Sequence, residues 1–363
     1  MANYKKVTSK DVAKMAGVSQ STVSMILNNS EAASFSQDTV ERVFGAAKEL
    51  GYSINRRRSR VRLPGRSNLV LVVCPSVVNQ YYVGLMNTLA FYAQSKGLVP
   101  LFFDTFRDPG YEARVAEVLK ATPAAGLIYL GTPTLPDIIY QLSQEVPCVL
   151  VDEKQEQQRT DRLELDGIRL GTLMGKHLLS LGHRKVAYIA PPMGEPGSPR
   201  SRRLEGLRQA FVQEGLGPDS VRSFSIQDEP PGSHMGNEEY AAGLRLAKTA
   251  SEDSEITAMM GSNDMVAYGI MDALIDLGYQ IPQDYSVCGC DNIMFSYMRR
   301  ISLTTVEHFA NEKAKEAVDL LLQRMEAGTP GQSPVRIHRV EYTPQLIVRS
   351  STGPSPRGEV PQE

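Results

Sequence analysis

Apolar runs that alternate with amphipathic helical patterns fill residues 67–349, and no other feature of the chain constrains its fold as much. The apolar runs are LVLVVCP, VPLFFDT, AGLIYLG, PCVLVD, KVAYIA, VRSFSIQ, ITAMMGS and YSVCGCD. Continuous apolar strands separated by helices are typical of parallel sheets that are covered on both faces. Eight such strands are too many for one ordinary open sheet, so the sequence predicts an α/β core of two doubly wound parallel-sheet subdomains.

Ligands in such folds bind beyond the carboxyl ends of the strands, and two subdomains that face each other create a cleft there. We expect an N-subdomain at about residues 67–164 plus 292–324 and a C-subdomain at about residues 165–291 plus 325–349. We expect a disordered tail at residues 350–363. Because this tail contains no heptads, it predicts no tetramerising coiled coil.

The first helical pattern of the chain lies close to its N-terminus. Thr8 and Asp11 resemble a capping box in which Asp replaces Glu, and Gly17 ends the helix that follows. The apolar positions of this helix are Val12, Met15 and Ala16. Their helical spacing predicts that they face the interior.

Two further helical patterns follow. Ser19 caps a second helix, whose inward positions are Val23, Ile26 and Leu27. A third helix begins at Ser36 and ends at Gly51, and its apolar stripe is Val40, Val43, Phe44, Ala47 and Leu50. Three short helices with a tight turn between the first two predict a helix-turn-helix domain at residues 1–52, followed by a hinge or linker at residues 53–66.

The outward face of the second helix is polar but carries no positive charge. Its members are Gln20, Ser21, Ser24, Met25 and Asn28. Gln20 and Ser21 occupy the first turn, where such a helix contacts base edges in the major groove of DNA. Positive charge lies downstream in NRRRSRVRLPGR, and residues 1–66 hold 12 Lys and Arg against 5 Asp and Glu. This basic head predicts a polyanionic partner, and the alternative is a solvated basic segment.

Residues 7–66 resemble the DNA-binding head of the lactose-repressor/galactose-repressor (LacI/GalR) family of bacterial transcription regulators. The matching stretches are VTSKDVAKMAGVSQSTVSMILN and SQDTVERVFGAAKELGYSIN. The resemblance implies that the base-reading positions are Gln20, Ser21 and Met25. It also implies that the phosphate-facing or docking positions are Thr8, Ser19, Thr22, Ser24, Asn28, Tyr52 and Asn55.

The head departs from the family pattern at two places. Met25 stands where many members have an arginine that reads guanine, so we expect apolar or thymine-methyl contacts there. Val61 stands where members have a leucine that wedges into the minor groove, and Arg56 and Arg57 add phosphate-binding charge. A smaller wedge should kink DNA less well, and the alternative for residues 55–66 is a solvated linker.

The resemblance extends to about residue 349 and implies the fold of periplasmic sugar-binding proteins. The anchoring stretches are DGIRLGTLMGKHLLSLGHRKVAYIA, RRLEGLRQAF, GSNDMVAYG, CGCDN and ISLTTV. It implies effector-binding residues at strand ends and at the cleft edge, namely Tyr81, Tyr82, Asp152, Arg203, Asn263, Asp264 and Asp291. Paired donors and acceptors of this kind suit a hydroxyl-rich, sugar-like ligand, and tyrosine rings can pack on its face.

Several of these residues have a structural alternative. Arg203 could pair with a carboxylate on its own helix, Asp264 could cap the following helix, and Tyr82 could pack in the core of its subdomain. The loop at residues 227–238 could contribute specificity, although a plain surface loop is the simpler interpretation.

Enzyme and metalloprotein motifs are not evident. The cysteines are expected to be buried thiols, and they are Cys74, Cys148, Cys288 and Cys290. The five histidines are scattered, so a metal site would need distant segments. GTLMGKH lacks the spacing of a phosphate-binding loop and lies in a helical pattern. We expect neither a metal nor a cofactor.

The sequence thus predicts a homodimeric DNA-binding regulator, most simply a repressor, that responds to a small ligand. Two-fold symmetry is expected because one short recognition helix supplies too little specificity for an operator. No apolar run is long enough to span a membrane and no secretory signal is visible, so we expect a cytoplasmic protein. The alternative is a solute-binding protein of a transport system, which would need an export signal and no basic head.

Overall fold

The computed structural model describes residues 8–27, 35–50, 67–154, 160–194, 196–226, 238–327 and 336–357, apart from the side chains of Lys48, Asp152 and Glu153. The chain divides into two compact units, Met1–Arg60 and Val61–Glu363. Among the described helices, none is both long and apolar enough to cross a lipid bilayer.

The described part of the first unit, the head, is all helical. Its helices are α1 (Ser9–Ala16), α2 (Gln20–Leu27) and α3 (Gln37–Glu49). The backbone N–H of Thr8 donates to Asp11 Oδ2 at 2.8 Å, and Gly17 ends α1 in the left-handed region at φ 67°, as the sequence predicts. The helices share a core made of Val12, Ala13, Ala16, Val23, Ile26, Leu27, Val43, Ala46 and Ala47.

Two residues that were predicted to face the interior of the head are exposed instead. Met15 is 44% exposed and Phe44 is 45% exposed. In α1 the buried face runs through Ala13 instead, because a small side chain lets the neighbouring helices approach closely. Apolar spacing within an eight-residue helix fits two adjacent stripes almost equally well, and packing between the helices decides which one is buried.

The second unit contains the two predicted subdomains. The N-subdomain has a parallel sheet in the order β11-β5-β4-β3-β1-β2. Its strands are β1 (Leu69–Cys74), β2 (Val99–Asp104), β3 (Ala124–Leu130), β4 (Cys148–Glu153), β5 (Asp161–Leu165) and β11 (Arg339–Tyr342). Its helices are α4 (Gln80–Ser95), α5 (Pro109–Ala121), α6 (Pro136–Glu145) and α11 (Ala310–Ala327).

The C-subdomain has a four-stranded parallel sheet in the order β7-β6-β8-β9. Its strands are β6 (Val186–Ala190), β7 (Val221–Ser225), β8 (Ala258–Gly261) and β9 (Ser286–Cys288). Its helices are α7 (Gly167–Ser180), α8 (Pro199–Gln213), α9 (Glu238–Ala250) and α10 (Asp264–Asp276). An antiparallel pair, β10 (Thr305–Glu307) with β12 (Gln345–Ile347), packs against the same core.

Each sheet is covered on both faces, which confirms the doubly wound architecture. In β1, Val70 and Val72 pack beside α4 and α11, whereas Leu71 and Val73 face the core formed with α5 and α6. The alternation follows from the two-residue period of a strand, and a strand buried on both sides must be apolar throughout. All eight predicted strands are present.

The predicted boundaries need three corrections. The N-subdomain does not take all of residues 292–324, because Leu303 and Val306 are buried in the core of the C-subdomain. β11 belongs to the N-subdomain sheet, where it pairs with β5, so the C-subdomain does not take all of residues 325–349. Residues 350–357 are ordered rather than a disordered tail, because Ser351 and Ser355 are buried. The Gly353 carbonyl accepts a hydrogen bond from Ser286 Oγ at 3.1 Å, and this bond connects the segment to β9. Residues 358–363 lie outside the described residues.

β5 shows why one buried strand escaped the sequence analysis. Its sequence, DRLEL, is largely charged, yet all five residues are buried. Asp161 accepts two hydrogen bonds from the Arg324 guanidinium, at 2.5 and 2.8 Å, and Glu164 accepts one from Arg339. The charges are tolerated because distant arginines neutralise them, and only the folded chain supplies those partners.

Candidate functional site

The first turn of α2 carries a cluster of hydroxyl groups. Ser19 caps the helix, because its Oγ accepts from the Thr22 backbone N–H at 3.1 Å. The same oxygen lies 2.6 Å from Ser21 Oγ and 2.8 Å from Thr22 Oγ1. Gln20 Nε2 donates to Ser9 Oγ at 3.1 Å. These local bonds fix the side chains at the helix N-terminus before any partner arrives.

The outer surface of α2 matches the predicted face with one refinement. Gln20, Ser21 and Ser24 are exposed, whereas Met25 is half-buried. The face therefore presents amide and hydroxyl groups beside a partly covered thioether. Other predicted DNA-binding residues lie outside the described residues, and they are Asn28, Tyr52, Asn55, Arg56, Arg57 and Val61.

A cavity of about 560 Å³ lies between the two subdomains. It is bordered by loops that follow the carboxyl ends of strands, which is where the alternating pattern predicts a ligand site. Five predicted effector residues line it, and they are Tyr81, Tyr82, Arg203, Asn263 and Asp291. The side chain of Asp152, at the end of β4, lies outside the described part of the chain.

Tyr81 and Tyr82 enter the cavity from the first turn of α4. Asn79 caps this helix, since its Oδ1 accepts from the backbone N–H groups of both tyrosines at 3.0 and 3.4 Å. The Tyr81 ring packs edge-on against Tyr82 and against His308, with centroids 5.2 and 5.3 Å apart. Burial raises the pKa of Tyr81, so its hydroxyl stays protonated and can donate to a ligand.

Arg203 reaches the cavity from α8, and its Nη1 donates to the Ser262 carbonyl at 2.6 Å. This bond holds the Arg203 guanidinium to the end of β8. Two glycines, one in α7 and one in α8, allow these helices to pack closely. A Cβ on Gly206 would lie 1.9 Å from the Ile168 carbonyl oxygen, and one on Gly171 would lie 2.0 Å from that of Arg203. The glycines of GTLMGKH thus serve close helix packing.

The resemblance places Asp264 among the effector residues, but the structure does not bring its side chain to the cavity. It is fully buried and does not line the cavity. Its carboxylate accepts from the Ile293 backbone N–H at 3.1 Å, from Thr305 Oγ1 at 2.5 Å and from Ser296 Oγ. The neighbouring Asn263 is the residue that caps α10, through a 3.0 Å bond from the Val266 N–H. Asp264 therefore stabilises the C-subdomain.

Asp291 lies in a buried cluster with Cys290 and His308. Cys290 Sγ lies 3.1 Å from His308 Nε2, and Asp291 Oδ1 lies 3.7 Å from His308 Nδ1. Burial raises the pKa of Asp291 against the opposing charge of Arg203. Burial lowers the pKa of His308, with further contributions from Arg203 and Lys313. Both groups are therefore held toward their neutral forms.

The three side chains of this cluster have the composition of a transition-metal site, with ligand atoms within 4.8 Å of one another. However, His308 turns one ring nitrogen to Cys290 and the other to Asp291, so one ion would not meet all three without rearrangement. Two cationic side chains face the histidine as well. The arrangement suits a hydrogen-bonding wall better than a cation site.

Five charged residues of the cavity were missed by the sequence analysis, and they are Arg107, Glu112, Arg200, Glu239 and Lys313. Arg200 lies one helical turn before Arg203, which is the only local signal among them. The other four come from separate loops and helices that only the tertiary structure brings together.

The backbone is unusual at or directly after three residues of the cavity wall. Arg107 itself adopts a positive φ of 56°, Asn292 follows Asp291 at 54°, and Phe309 follows His308 at 56°. Non-glycine residues in this region cost free energy and cluster at functional sites. These turns aim Arg107, Asp291 and His308 at one space.

Both the head and the core of the chain are similar to known proteins. A family model described as "Bacterial regulatory proteins, lacI family" matches residues 8–55, and one described as "Periplasmic binding protein-like domain" matches residues 176–352. The chain is 30% identical to the HTH-type transcriptional regulator DegA of Bacillus subtilis (strain 168) over 359 residues, which are 96% of this chain and 99% of DegA.

Two further relatives extend the likeness. The chain is 28% identical to the HTH-type transcriptional repressor PurR of Haemophilus influenzae (strain PittEE) over 349 residues, which are 95% of this chain and 98% of PurR. A crystal structure of a LacI family transcriptional regulator from Enterococcus faecium with bound ribose superposes with a TM-score of 0.64. It shares 24% identity and covers 79% of this chain and 99% of its own, so it shows the fold alone. The chain therefore belongs to the lacI family of bacterial regulatory proteins, whose members are DNA-binding transcription regulators and not enzymes.

Proposed function

We propose that this protein is a repressor whose binding to a pseudo-palindromic operator is controlled by a small ligand in the cavity between the core subdomains. The observation that carries this proposal is the cavity of about 560 Å³, lined by the tyrosines and polar groups expected of an effector site, in a chain that also has a helix-turn-helix head. A chain with both parts can couple ligand binding to DNA binding.

In the head, Gln20 and Ser21 are the proposed base-reading residues, because they are exposed at the N-terminus of α2. Met25 adds an apolar contact for a thymine methyl group. Phosphate contacts are assigned to polar residues around α2 and to the basic segment downstream, and they are Thr8, Ser19, Thr22, Ser24, Asn28, Tyr52, Asn55, Arg56 and Arg57. Val61 is the proposed minor-groove wedge.

The proposed effector is a sugar or a sugar derivative. Tyrosine faces, the Arg203 guanidinium, the Asn263 amide and the Asp291 carboxyl group offer the mixed donors and acceptors that hydroxyl groups require. The structurally similar regulator from Enterococcus faecium has ribose bound, which supports a ligand of this class.

We further infer a homodimer that works in the cytoplasm, where operator DNA lies. β2 is an edge strand of its sheet, and Val99, Leu101 and Phe102 are exposed along it. Phe91 on the neighbouring α4 is 78% exposed. An unpaired edge with large apolar side chains is a liability for a monomer, and a two-fold dimer would cover it.

Ligand in the cleft would favour one mutual orientation of the subdomains. Coupling is reciprocal, so a ligand that releases the operator must itself bind more weakly to the DNA-bound protein.

Binding to genomic DNA fragments over a salt series tests the function. We expect specific fragments to be retained, with retention that falls steeply as salt rises, because phosphate neutralisation releases counterions. Retention of no specific fragment, with or without a panel of sugars, would refute the proposal.

A further inference from the structure

Glu239 lies between two arginines that belong to opposite subdomains. Its Oε1 is 3.2 Å from Arg200 Nη2, at the start of α8, and 3.8 Å from Arg107 Nη2, in the turn after β2. Its Oε2 accepts from Asn79 Nδ2 at 2.6 Å. Asn79 and Arg107 belong to the N-subdomain, whereas Arg200 and Glu239 belong to the C-subdomain. One carboxylate thus joins the two walls of the cavity.

The described lining of the cavity carries more positive than negative charge. Its cations are Arg107, Arg200, Arg203 and Lys313, and its carboxyl groups are Glu112, Glu239 and Asp291. Glu112 already accepts from the Thr134 N–H, the Thr134 hydroxyl and the Leu135 N–H. Burial raises the pKa of Asp291, which reduces its negative charge. A ligand that carries its own negative charge suits this lining better than a neutral one.

We propose that Arg107 and Arg200 form an anion subsite of the effector site, which Glu239 fills until an effector brings its own carboxylate or phosphate group. This inference rests on the proposed function and narrows its ligand to an acidic or phosphorylated sugar derivative. Guanidinium groups bind both kinds of anion through paired N–H donors, so the shared chemistry is a small oxyanion.

Displacement of Glu239 follows from electrostatics. A second anion beside a buried carboxylate would be repelled, and the penalty is large where water is scarce. The Glu239 side chain is 15% exposed, so it keeps some contact with solvent, and the proposal requires it to turn outward when the effector binds. The effector would then take over the two arginines, while its hydroxyl groups meet Tyr81 and Asn263.

The test uses the full-length protein with Glu239→Gln, which removes the charge and keeps the size of the side chain. Thermal unfolding is followed with increasing inorganic phosphate in one arm and acetate in the other, with chloride holding the ionic strength constant. We expect the variant to be stabilised at anion concentrations about tenfold lower than the wild type requires, since the internal competitor is gone. Glu205→Gln, an exposed position on α8, is the matched control and should behave like the wild type.

The two arms separate the sources of the anion. A response to phosphate alone supports a phosphorylated effector, a response to acetate alone supports a carboxylate, and a response to both supports the shared subsite. Adding Arg107→Gln to the variant should remove the response. If Glu239→Gln does not fold, Glu239→Asp, which draws the carboxylate away from the arginines, should shift the response in the same direction.

An unchanged anion response in the folded variants would overturn the anion subsite. Operator retention measured on the same samples keeps this failure distinct from failure of the proposed function. A variant that retains operator fragments but ignores anions refutes only the subsite, whereas wild-type protein that retains no fragment refutes the regulator itself.

Discussion

In the head, the proposed base-reading residues Gln20, Ser21 and Met25 lie within two turns of one helix, and hydroxyl groups of the same domain bind Gln20 and Ser21. In the effector cavity, the side chains come from both subdomains, as when Asn79 meets Glu239 across 160 positions of the chain. The proposed DNA-binding surface is therefore built from residues close together in sequence, whereas the cavity is built from loops that are far apart in sequence. A regulator built this way can change its ligand and its operator separately.

The largest expected effect comes from emptying the small core of the head. Ile26→Ala removes a fully buried side chain and should lower the free energy of unfolding of the head by about 2–5 kcal/mol. A small three-helix domain has little stability to spare, so this loss should unfold it. We expect operator binding to be lost while the thermal unfolding of the core is unchanged, as measured by fragment retention and by calorimetry. Met15→Ala, on the exposed side of α1, is the control and should retain binding. A matching loss of core stability in Ile26→Ala would show that the two regions are not independent.

The second-largest expected effect is a loss of core stability at acidic pH that depends on histidine. The head should not share it, because residues 1–66 contain no histidine. Burial lowers the pKa of His183 from 6.5 to about 4, and its ring contacts Thr257 Oγ1 at 2.8 Å and Ser286 Oγ at 2.9 Å. The unfolded chain binds the proton more readily, so this stabilisation is complete above pH 6.5 and is lost as the pH falls toward 4. The loss is on the order of 3 kcal/mol.

Unfolding of the core by denaturant at a series of pH values measures this effect. His183→Gln should make the profile less steep between pH 6.5 and 4, and the slope that remains comes from His177 and His308, whose pKa values burial also lowers. His338→Gln, at an exposed position, is the control. Identical profiles for His183→Gln and the wild type would contradict the assignment.

A smaller effect is confined to the cavity. Asp291→Ala should weaken the response to effector by about tenfold or more, since hydrogen bonds to charged or buried groups contribute about 1.5–3 kcal/mol. Operator binding without effector should be retained, and the release of operator by ligand is the measurement. Glu117→Ala, an exposed carboxylate outside the cavity lining, is the control. An unchanged response in Asp291→Ala would remove Asp291 from the site.

The smallest effect concerns a single base in each half-site. Met25→Arg should shift the preference toward guanine by about 1–3 kcal/mol, because arginine can bind the guanine edge with two hydrogen bonds. Selection of operators from a random pool measures the shift, with Met15→Arg as a control outside α2. The same selected sequences for Met25→Arg and the wild type would show that this position does not face the bases.

Much of the fold was predictable because it depends on short-range patterns. All eight apolar runs are strands, and Ser19, Ser36 and Gly17 bound the helices of the head as predicted. Four described strands were not predicted, namely β5, β10, β11 and β12. Among them, β5 is largely charged, so hydropathy gave no signal for it. Its burial depends on Arg324 and Arg339, which follow it by more than 150 positions.

The candidate sites also have a part that the sequence predicted and a part that only the tertiary structure decided. By itself, the sequence determined the polar face of α2, because helical periodicity and capping fix which way such residues point. The family resemblance, rather than any local pattern, pointed to Arg203, Asn263 and Asp291, which line the cavity. Only the tertiary structure decided that Asp264 is buried within the C-subdomain and that Glu239 joins Arg107 to Arg200. Those contacts depend on how loops from distant parts of the chain approach one another, and that geometry is set by the packing of both sheets rather than by any one segment.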